Sequence, residues 1–299
     1  MSASDRVGQF LGRHPILKVP LYPALYIRRK ARDRKEREYD EIYQSILRAI
    51  GTPSLVVNLP AVEGRFEIDV RSHILRRIVR SGVYEPELVG LIQKHAPRDR
   101  DAIDVGANVG IISVLLAHVV SPNRVLSVEP TPSAAAYLRR NIALNGCEAS
   151  ILIEEKAATS RPGTFDINVI PGMEEYSTLG KLVLPDTDKR TPVPTAISGE
   201  PIDALVHKHG LNPGFIKIDT EGCEAEVLEG ASRTLREFRP VILSELVDSM
   251  LTTLGTDSGR VLRFLHEHGY SVLNAYHPGR EIRYPFLGEI LALPTGARP

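Results

Sequence analysis

The run from Asp101 to Gly110 limits the fold more than any other part of the sequence. An apolar segment ends at Asp104 in the sequence Asp-Val-Gly-Ala-Asn-Val-Gly, and an apolar helical segment follows Gly110. A strand that passes through a glycine-rich turn into a helix is typical of an open α/β sheet. Backbone N–H groups of such a turn, and the N-terminus of the helix, face a ligand. The sequence therefore predicts a ligand site directly after this strand.

Gly106 and Gly110 shape this turn. The polar residues around it limit the kind of ligand that can bind. Asn108 stands in place of the middle glycine that lets a pyrophosphate approach the backbone in dinucleotide-binding proteins. Asp104 would repel a phosphate but pairs well with an α-amino group. Glu129, at the end of the next apolar segment, can accept hydrogen bonds from two ribose hydroxyls. A nucleoside that carries an amino acid fits this set, and we predict S-adenosylmethionine as the cofactor.

Strands and helices alternate from Asp101 onward, which predicts a mostly parallel sheet with helices on both faces. The predicted strands are 102–105, 124–128, 151–153, 215–218, 241–245, 271–275 and 287–293. The predicted helices are 110–119, 133–145, 202–209, 223–238 and 258–268. A short loop joins the last two strands, so we expect them to pair antiparallel at one end of the sheet.

The chain divides into two predicted domains. Residues 1–59 contain a short basic block and an apolar helical stripe, and we interpret them as an N-terminal helical extension. A solvated charged helix is favoured there, and weak peripheral membrane contact is the alternative. Residues 60–299 form the α/β domain, which a short hairpin within 55–70 precedes. A Gly- and Pro-rich segment at about 159–199 predicts one or two hairpins inserted beside the sheet.

The composition excludes some partners and indicates a compartment. The 299 residues carry 37 Lys and Arg against 37 Asp and Glu, so the formal net charge is zero and we expect no nucleic-acid partner. The two cysteines lie far apart, which indicates a reducing compartment. Apolar stretches are too short to span a membrane and the N-terminus lacks the apolar core of a secretory signal. We expect a cytoplasmic protein without a transmembrane segment.

A second group of acids follows the strand that ends at Asp219. Glu221 and Glu224 lie where a helix begins, and favourable interaction with the helix dipole accounts for Glu224 and could account for Glu221. Asp219 could bind the cofactor, orient a substrate hydroxyl or coordinate a metal. Glu245 ends the next strand, so its side chain is expected at the same edge of the sheet.

These motifs together resemble the FkbM family of S-adenosylmethionine-dependent methyltransferases over residues 66–293. The motifs that carry the resemblance are Tyr84-Glu-Pro86, Asp104 to Gly110, Glu129-Pro130, Tyr176 to Leu179, Lys217 to Gly230, Arg239-Pro240 and Glu245. The resemblance implies the class I methyltransferase fold, a Rossmann-like sheet of seven strands, and O-methylation of sugars or related natural products. It also implies that Glu85 and Pro130 contact the cofactor. Thr220, where Val is usual, and Gly199 to Asp203 depart from the family pattern.

Transfer of a methyl group to a hydroxyl requires a base, because a hydroxyl is a weak nucleophile with a high pKa. We predict Asp219, Glu245 and Glu221 as the catalytic residues, with the first and second as candidate bases and His277 as a weaker alternative. These acids could serve with or without Mg²⁺, so metal dependence stays open and no metal ligand is predicted.

The predicted function is O-methylation of a hydroxyl of a sugar, a glycoconjugate or a related natural product. Two alternatives share parts of this pattern. One is an NAD-dependent sugar-modifying oxidoreductase, and the other is a non-catalytic interaction module with the same fold. The acceptor is expected to be a small molecule or a glycan, and its identity and the oligomeric state are left open.

Overall fold

The computed structural model describes residues 39, 41–49, 51–170, 177 and 191–296. The chain divides into two compact units, residues 1–52 and 53–299. In the first unit residues 41–49 are helical, and the rest of the predicted N-terminal extension up to residue 38 lies outside the described residues. The second unit begins before the hairpin that the sequence predicts at 55–70.

The strands of the second unit agree closely with the predicted ones. In chain order they are β1 (Ser54–Leu59), β2 (Gly64–Asp69), β3 (Asp101–Val105), β4 (Val125–Val128), β5 (Ile151–Glu154), β6 (Ala157–Ala158), β7 (Gly163–Val169), β8 (Val193–Glu200), β9 (Pro213–Ile218), β10 (Val241–Val247), β11 (Tyr270–Asn274) and β12 (Leu287–Pro294).

Helices connect most of the strands of the large sheet. They are α1 (His73–Ser81), α2 (Pro86–His95), α3 (Ile111–Val120), α4 (Pro132–Leu144), α5 (Ile202–His209), α6 (Glu224–Glu229), α7 (Ser232–Phe238), α8 (Asp248–Leu251) and α9 (Ser258–Glu267). Two 3-10 turns, Pro60–Val62 and Thr252–Leu254, complete the regular elements of the described residues.

Seven strands form one sheet in the order β11-β12-β10-β9-β3-β4-β5. Neighbours are parallel except at β12, which runs antiparallel to both β10 and β11. The predicted seven-stranded, mostly parallel sheet with an antiparallel last strand is confirmed. Every residue of β3, β4 and β9 is buried, so both faces of the sheet centre are covered.

The strand register sorts the sheet centre into apolar and polar rows. One row crosses the sheet as Leu126, Ile103, Ile216 and Ile242, and these side chains are at most 1% exposed. Burial of each such side chain stabilises the fold by about 1.5–3 kcal/mol. The next register positions of β4, β3 and β9 hold polar residues instead, which places a buried polar row directly under the carboxyl edge of the sheet.

The predicted single helix over 223–238 is wrong, because the structure has two helices, α6 and α7, on either side of Gly230 and Ala231. A Cβ atom added at Gly230 would lie 2.2 Å from the carbonyl oxygen of Thr159, so the backbone at Thr159 leaves no room for a side chain at position 230. Glycine also weakens a helix interior. The close approach of Thr159 explains why position 230 is a glycine, and this glycine favours the interruption between α6 and α7.

The inserted segment forms a small second sheet in the order β6-β8-β7. Strands β7 and β8 pair antiparallel from Gly163 and Gly199 to Val169 and Val193, as the predicted hairpin requires. The predicted β-type segment 182–184, and residues 176, 178 and 179 of the family motif, lie outside the described residues.

Candidate functional site

A cavity of about 960 Å³ opens at the carboxyl ends of the central strands. The chain order of the strands changes direction between β3 and β9, and ligands of open α/β sheets bind at this point. Loops after β3, β4 and β9 line the cavity, together with the end of β10 and the start of β12. The fold therefore brings the predicted loops to one place.

The turn after β3 has a backbone that only glycine permits at its first position. Gly106 has φ 77°, and an added Cβ atom would lie 1.8 Å from the carbonyl oxygen of Asp219. Gly110 has φ 88°, and a Cβ atom there would lie 2.6 Å from Leu138. Asn108 adopts φ 49°, which asparagine tolerates better than most residues. Contacts on both sides thus fix the turn.

Glu129 ties the turn after β3 to the turn after β4. Its two carboxylate oxygens accept hydrogen bonds from the backbone N–H groups of Asn108 and Thr131, both at 2.9 Å. Burial raises the pKa of Glu129, and the two backbone hydrogen bonds oppose this effect. Each carboxylate oxygen can accept a further hydrogen bond, so Glu129 is held in place and can still bind a hydroxyl in the cavity. Residues Gly106 to Gly110 with Glu129 are called the glycine-turn end of the cavity.

A buried polar row lies beneath the glycine turn. Ser127 Oγ donates to Ser113 Oγ at 2.8 Å, and Ser113 Oγ donates to Asp104 Oδ2 at 2.6 Å. The other oxygen, Asp104 Oδ1, lies 3.6 Å from Lys217 Nζ. Burial raises the pKa of Asp104, and the Lys217 charge lowers it. Asp104 therefore supports the turn from below.

Lys217 connects the two ends of the cavity. Its Nζ atom donates to the carbonyl oxygen of Gly106 at 3.3 Å and lies 3.3 Å from Asp219 Oδ2. Burial alone would lower the pKa of Lys217, but Asp219, Asp104 and Glu289 raise it well above its usual range. The lysine is thus a fixed positive charge between acids.

Two acids from neighbouring strands face the cavity opposite the glycine turn. Glu245 of β10 and Glu289 of β12 are direct register partners in an antiparallel pair, and both line the cavity. Burial, then the charges of Asp219 and Glu85, raises the pKa of Glu245 to about 7. Burial, then the charges of Asp219 and Glu245, raises the pKa of Glu289 to about 9. Asp219, Glu245 and Glu289 are called the acid-pair end.

The remaining predicted residues also lie around the cavity. Glu85 precedes α2 with φ 33°, its carboxylate lies 2.7 Å from the Arg77 guanidinium, and burial raises its pKa. Pro130 lines the wall beside Glu129, and Glu221 lines it with φ 53°. All three residues therefore line the same cavity, and their predicted roles stay predictions.

Glu224 has a different position from its neighbours. It is 2% exposed, and its Oε1 atom accepts hydrogen bonds from the N–H groups of Thr220 and Gly222 and from the Thr220 hydroxyl. These contacts fix the loop after Asp219. Glu224 is thus an internal tie of this loop, which is a more specific role than interaction with the helix dipole.

The cavity brings together most of the residues that the sequence predicts for the site. Those that line it are Glu85, Gly106, Asn108, Glu129, Pro130, Asp219, Glu221 and Glu245. Two predicted residues, Asp104 and Gly110, are absent from the described residues that line the cavity. Asp104 is 0% exposed, and Gly110 packs on α4. The predicted contact of Asp104 with an α-amino group stays a prediction, and the geometry favours a supporting role.

Sequence analysis missed Glu289 and assigned no role to Lys217. Each is a lone charged residue in a strand that is otherwise largely apolar, and this is the signal that could have revealed them. His277 is not among the described residues that line the cavity. No group of three or more His, Cys, Asp or Glu side chains in the described ranges could hold a metal ion. Within the same ranges, no helix is long and apolar enough to cross a membrane.

Comparison with known proteins assigns the family. The methyltransferase FkbM domain matches residues 104–272, more than half of the chain. The chain belongs to the FkbM methyltransferase family. The fold is accordingly the class I methyltransferase fold, as predicted. The family match ends before β12, so Glu289 lies outside the segment that defines the family.

Individual relatives are more distant. A methyltransferase of Sordaria araneosa, sdnD, is 26% identical over 144 residues, which are 48% of this chain and 50% of that protein. The chain thus spans about half the length of this curated relative. The crystal structure of a methyltransferase FkbM from Methylobacillus flagellatus is 20% identical with a TM-score of 0.42, over 66% of this chain and 44% of that one. An O-methyltransferase from Bacillus cereus in complex with SAH is 15% identical with a TM-score of 0.41, over 81% and 93%.

Proposed function

We propose that the protein transfers the methyl group of S-adenosylmethionine to a hydroxyl of a sugar, a glycoconjugate or a related natural product. The observation that carries the proposal is the charge of the cavity at the switch point of an FkbM methyltransferase. The described residues that line it include three Arg and Lys residues and seven acids: Glu85, Glu87, Glu129, Asp219, Glu221, Glu245 and Glu289. Such a lining suits a ligand with a sulfonium and an ammonium group and disfavours a pyrophosphate.

The acceptor groups of the glycine-turn end suit the nucleoside part of this cofactor. The Glu129 carboxylate is held by two backbone N–H groups and is available to the ribose hydroxyls. Pro130 and the backbone around Asn108 complete this wall. We place Glu85 at the amino-acid part. The cofactor supplies an electrophilic methyl group, and the protein has to hold the acceptor oxygen about 3 Å from it in line with the breaking bond.

The acid-pair end suits the deprotonation of a hydroxyl. A general base works best when its pKa lies near the working pH, and the pKa of Glu245 is raised to about 7. Asp219 is within 3.3 Å of the Lys217 ammonium, so we assign it to orientation of the acceptor hydroxyl. Glu221 lines the same region and is the third candidate.

Calorimetric titration of S-adenosylhomocysteine and of NAD into the purified protein tests the cofactor. We expect micromolar binding of S-adenosylhomocysteine alone, weakened in Glu129→Gln. Binding of NAD alone would support the oxidoreductase, and binding of neither would support an interaction module. Incubation with S-adenosylmethionine carrying a labelled methyl group and a panel of glycosides and polyols, followed by NMR of the products, then tests O-methylation.

A further inference from the structure

The acid pair has a property that the proposed function does not require. Glu245 and Glu289 are opposite each other in an antiparallel ladder, where the Cβ atoms of such residues lie about 4.5–5.5 Å apart. Both side chains point to the same face of the sheet, and both line the cavity. When two carboxyl groups are this close in a partly buried position, ionisation of both is energetically unfavourable.

The surroundings of the pair determine which charges act on it. The charged and titratable groups that face it are Asp219 and Lys217 from β9 and its end, Glu85 before α2, Glu224 of α6 and Tyr276 after β11. Lys217 is the one cation among these groups, and it also lies near Asp104 and Asp219. The pair is therefore in a net negative environment before any ligand binds.

We propose that in the empty cavity Glu289 keeps a proton and Glu245 holds one part of the time, and that a positively charged methyl donor releases the proton of Glu245, which then serves as the base for the acceptor hydroxyl. This inference rests on the proposed function. Glu289 is in this view a positioning residue, because it acts on the acceptor through Glu245.

The raised pKa values of the two groups agree with this arrangement. With values of about 7 for Glu245 and about 9 for Glu289, the empty pair holds at least one proton at neutral pH. A positive charge within about 4–6 Å lowers the pKa of a carboxyl group by about 1–3. A sulfonium ion at that distance would leave Glu245 ionised and Glu289 still protonated.

The transfer step then balances. Glu245 takes the acceptor proton as the bond between the acceptor oxygen and the methyl carbon forms. The electron pair of the breaking carbon–sulfur bond stays on sulfur, which becomes neutral. Because the sulfur no longer carries a positive charge, Glu245 keeps the proton it has taken, and Glu289 has kept its own throughout. The protonation state of the pair therefore distinguishes the methyl donor from the demethylated product.

Proton release on ligand binding tests this inference without an acceptor. We would titrate S-adenosylmethionine and S-adenosylhomocysteine calorimetrically near neutral pH, in buffers of low and high ionisation enthalpy. If the pKa of Glu245 falls by 1 or more from about 7, the charged ligand should release about 0.4 more protons per site than the neutral one. The α-amino groups of the ligands contribute equally in all variants, so comparison of variants removes their effect.

Isosteric variants identify the source of the protons. The double variant Glu245→Gln/Glu289→Gln should lose the difference between the two ligands, and Glu289→Gln alone should reduce it. Glu155→Gln is the matched control, because Glu155 is exposed and is not among the described residues that line the cavity, and it should keep the full difference. An equal difference in the wild type and the double variant overturns the inference and leaves the cofactor assignment intact. Failure of both ligands to bind overturns the proposed function and the inference together.

A second measurement needs no variant. In protein labelled with ¹³C at the glutamate carboxyl carbons, the ligand-free pair should titrate in two coupled steps at about pH 7 and about pH 9. Titration of all glutamates near their ordinary value of about 4.3 would contradict the inference that the pair retains protons at neutral pH.

Discussion

The two ends of the cavity hold acids in different ways. At the glycine-turn end, Glu129 accepts hydrogen bonds from two backbone N–H groups, which oppose the rise in pKa that burial causes. At the acid-pair end, Glu245 faces Glu289 across two strands, and both charges are disfavoured. In the proposed function the first end binds the cofactor, and the second end takes the proton of the acceptor. Perturbed acids of this kind are concentrated at functional sites, where they cost stability.

The largest effect is expected from a substitution that disrupts the glycine-turn end. Gly106→Ala places a Cβ atom 1.8 Å from the Asp219 carbonyl oxygen, so the loops after β3 and β9 must separate. We expect a loss of at least about 5 kcal/mol in the free energy of unfolding, measured by denaturant titration. Gly255→Ala is the matched control, since Gly255 has φ 73° and nothing within 4 Å of an added Cβ. Its cost should be about 1–2 kcal/mol, and equal costs would contradict the close approach.

The second effect concerns the link between the two ends. Lys217→Met removes the cation beside Asp104 and Asp219 and leaves the buried Asp104 without charge compensation. Loss of one partner of a buried pair typically costs about 3–5 kcal/mol. The double variant Asp104→Asn/Lys217→Met should recover part of this loss in the same unfolding experiment. If the single variant loses less than about 1 kcal/mol, the ion pair does not hold the ends together.

A smaller effect is expected on binding alone. Glu129→Gln keeps the size of the side chain but can accept a hydrogen bond through only one of its two terminal atoms, so either Asn108 or Thr131 loses its partner. Affinity for S-adenosylhomocysteine should fall about 10–100-fold by calorimetry, because hydrogen bonds to a charged group contribute about 1.5–3 kcal/mol. Glu155→Gln, on the exposed residue after β5, should bind like the wild type. Unchanged affinity of Glu129→Gln would remove Glu129 from the binding site.

The smallest effect is a pH dependence at the acid-pair end. The pKa of Glu289 is raised in the folded protein to about 9, so its contribution to stability is fully present below its unfolded value of about 4.3 and is lost as the pH rises to about 9. Wild-type Tm should therefore fall across this range. Glu289→Gln should flatten the fall, and at about pH 6 it should be more stable than the wild type by on the order of 2 kcal/mol. Parallel Tm profiles of the two proteins would show that Glu289 is ionised normally.

The glycine-turn end was predictable from sequence because it is built from neighbours in the chain. The strand, turn and helix around Gly106, and the acid at the end of β4, follow from apolar runs and turn residues in one short segment. The sheet was predictable for a similar reason, since each strand is a short apolar run between turns. Local sequence also placed the boundaries of β3 and β9 within two residues.

The acid-pair end was only half predictable, because it depends on a pairing between distant segments. Glu245 could be recognised at a strand end, but its partner Glu289 depends on the insertion of β12 between β10 and β11 and on their register. The break at Gly230 was missed for the same reason, since the Thr159 carbonyl that requires the glycine comes from the inserted sheet. The pattern of hydrophobic residues along the sequence does not predict contacts between distant segments.

Because the acid-pair end depends on strand β12, the two ends of the cavity can change independently during evolution. Since side chains alternate along a strand, an insertion that shifts β12 by one residue would place Gly288 or Ile290 opposite Glu245 and turn Glu289 to the other face of the sheet. Changes in the loop between β11 and β12 could thus exchange the chemistry of the acid-pair end without any change in residues 104–131. A lineage could alter its reaction by modifying a terminal hairpin while inheriting its glycine turn intact.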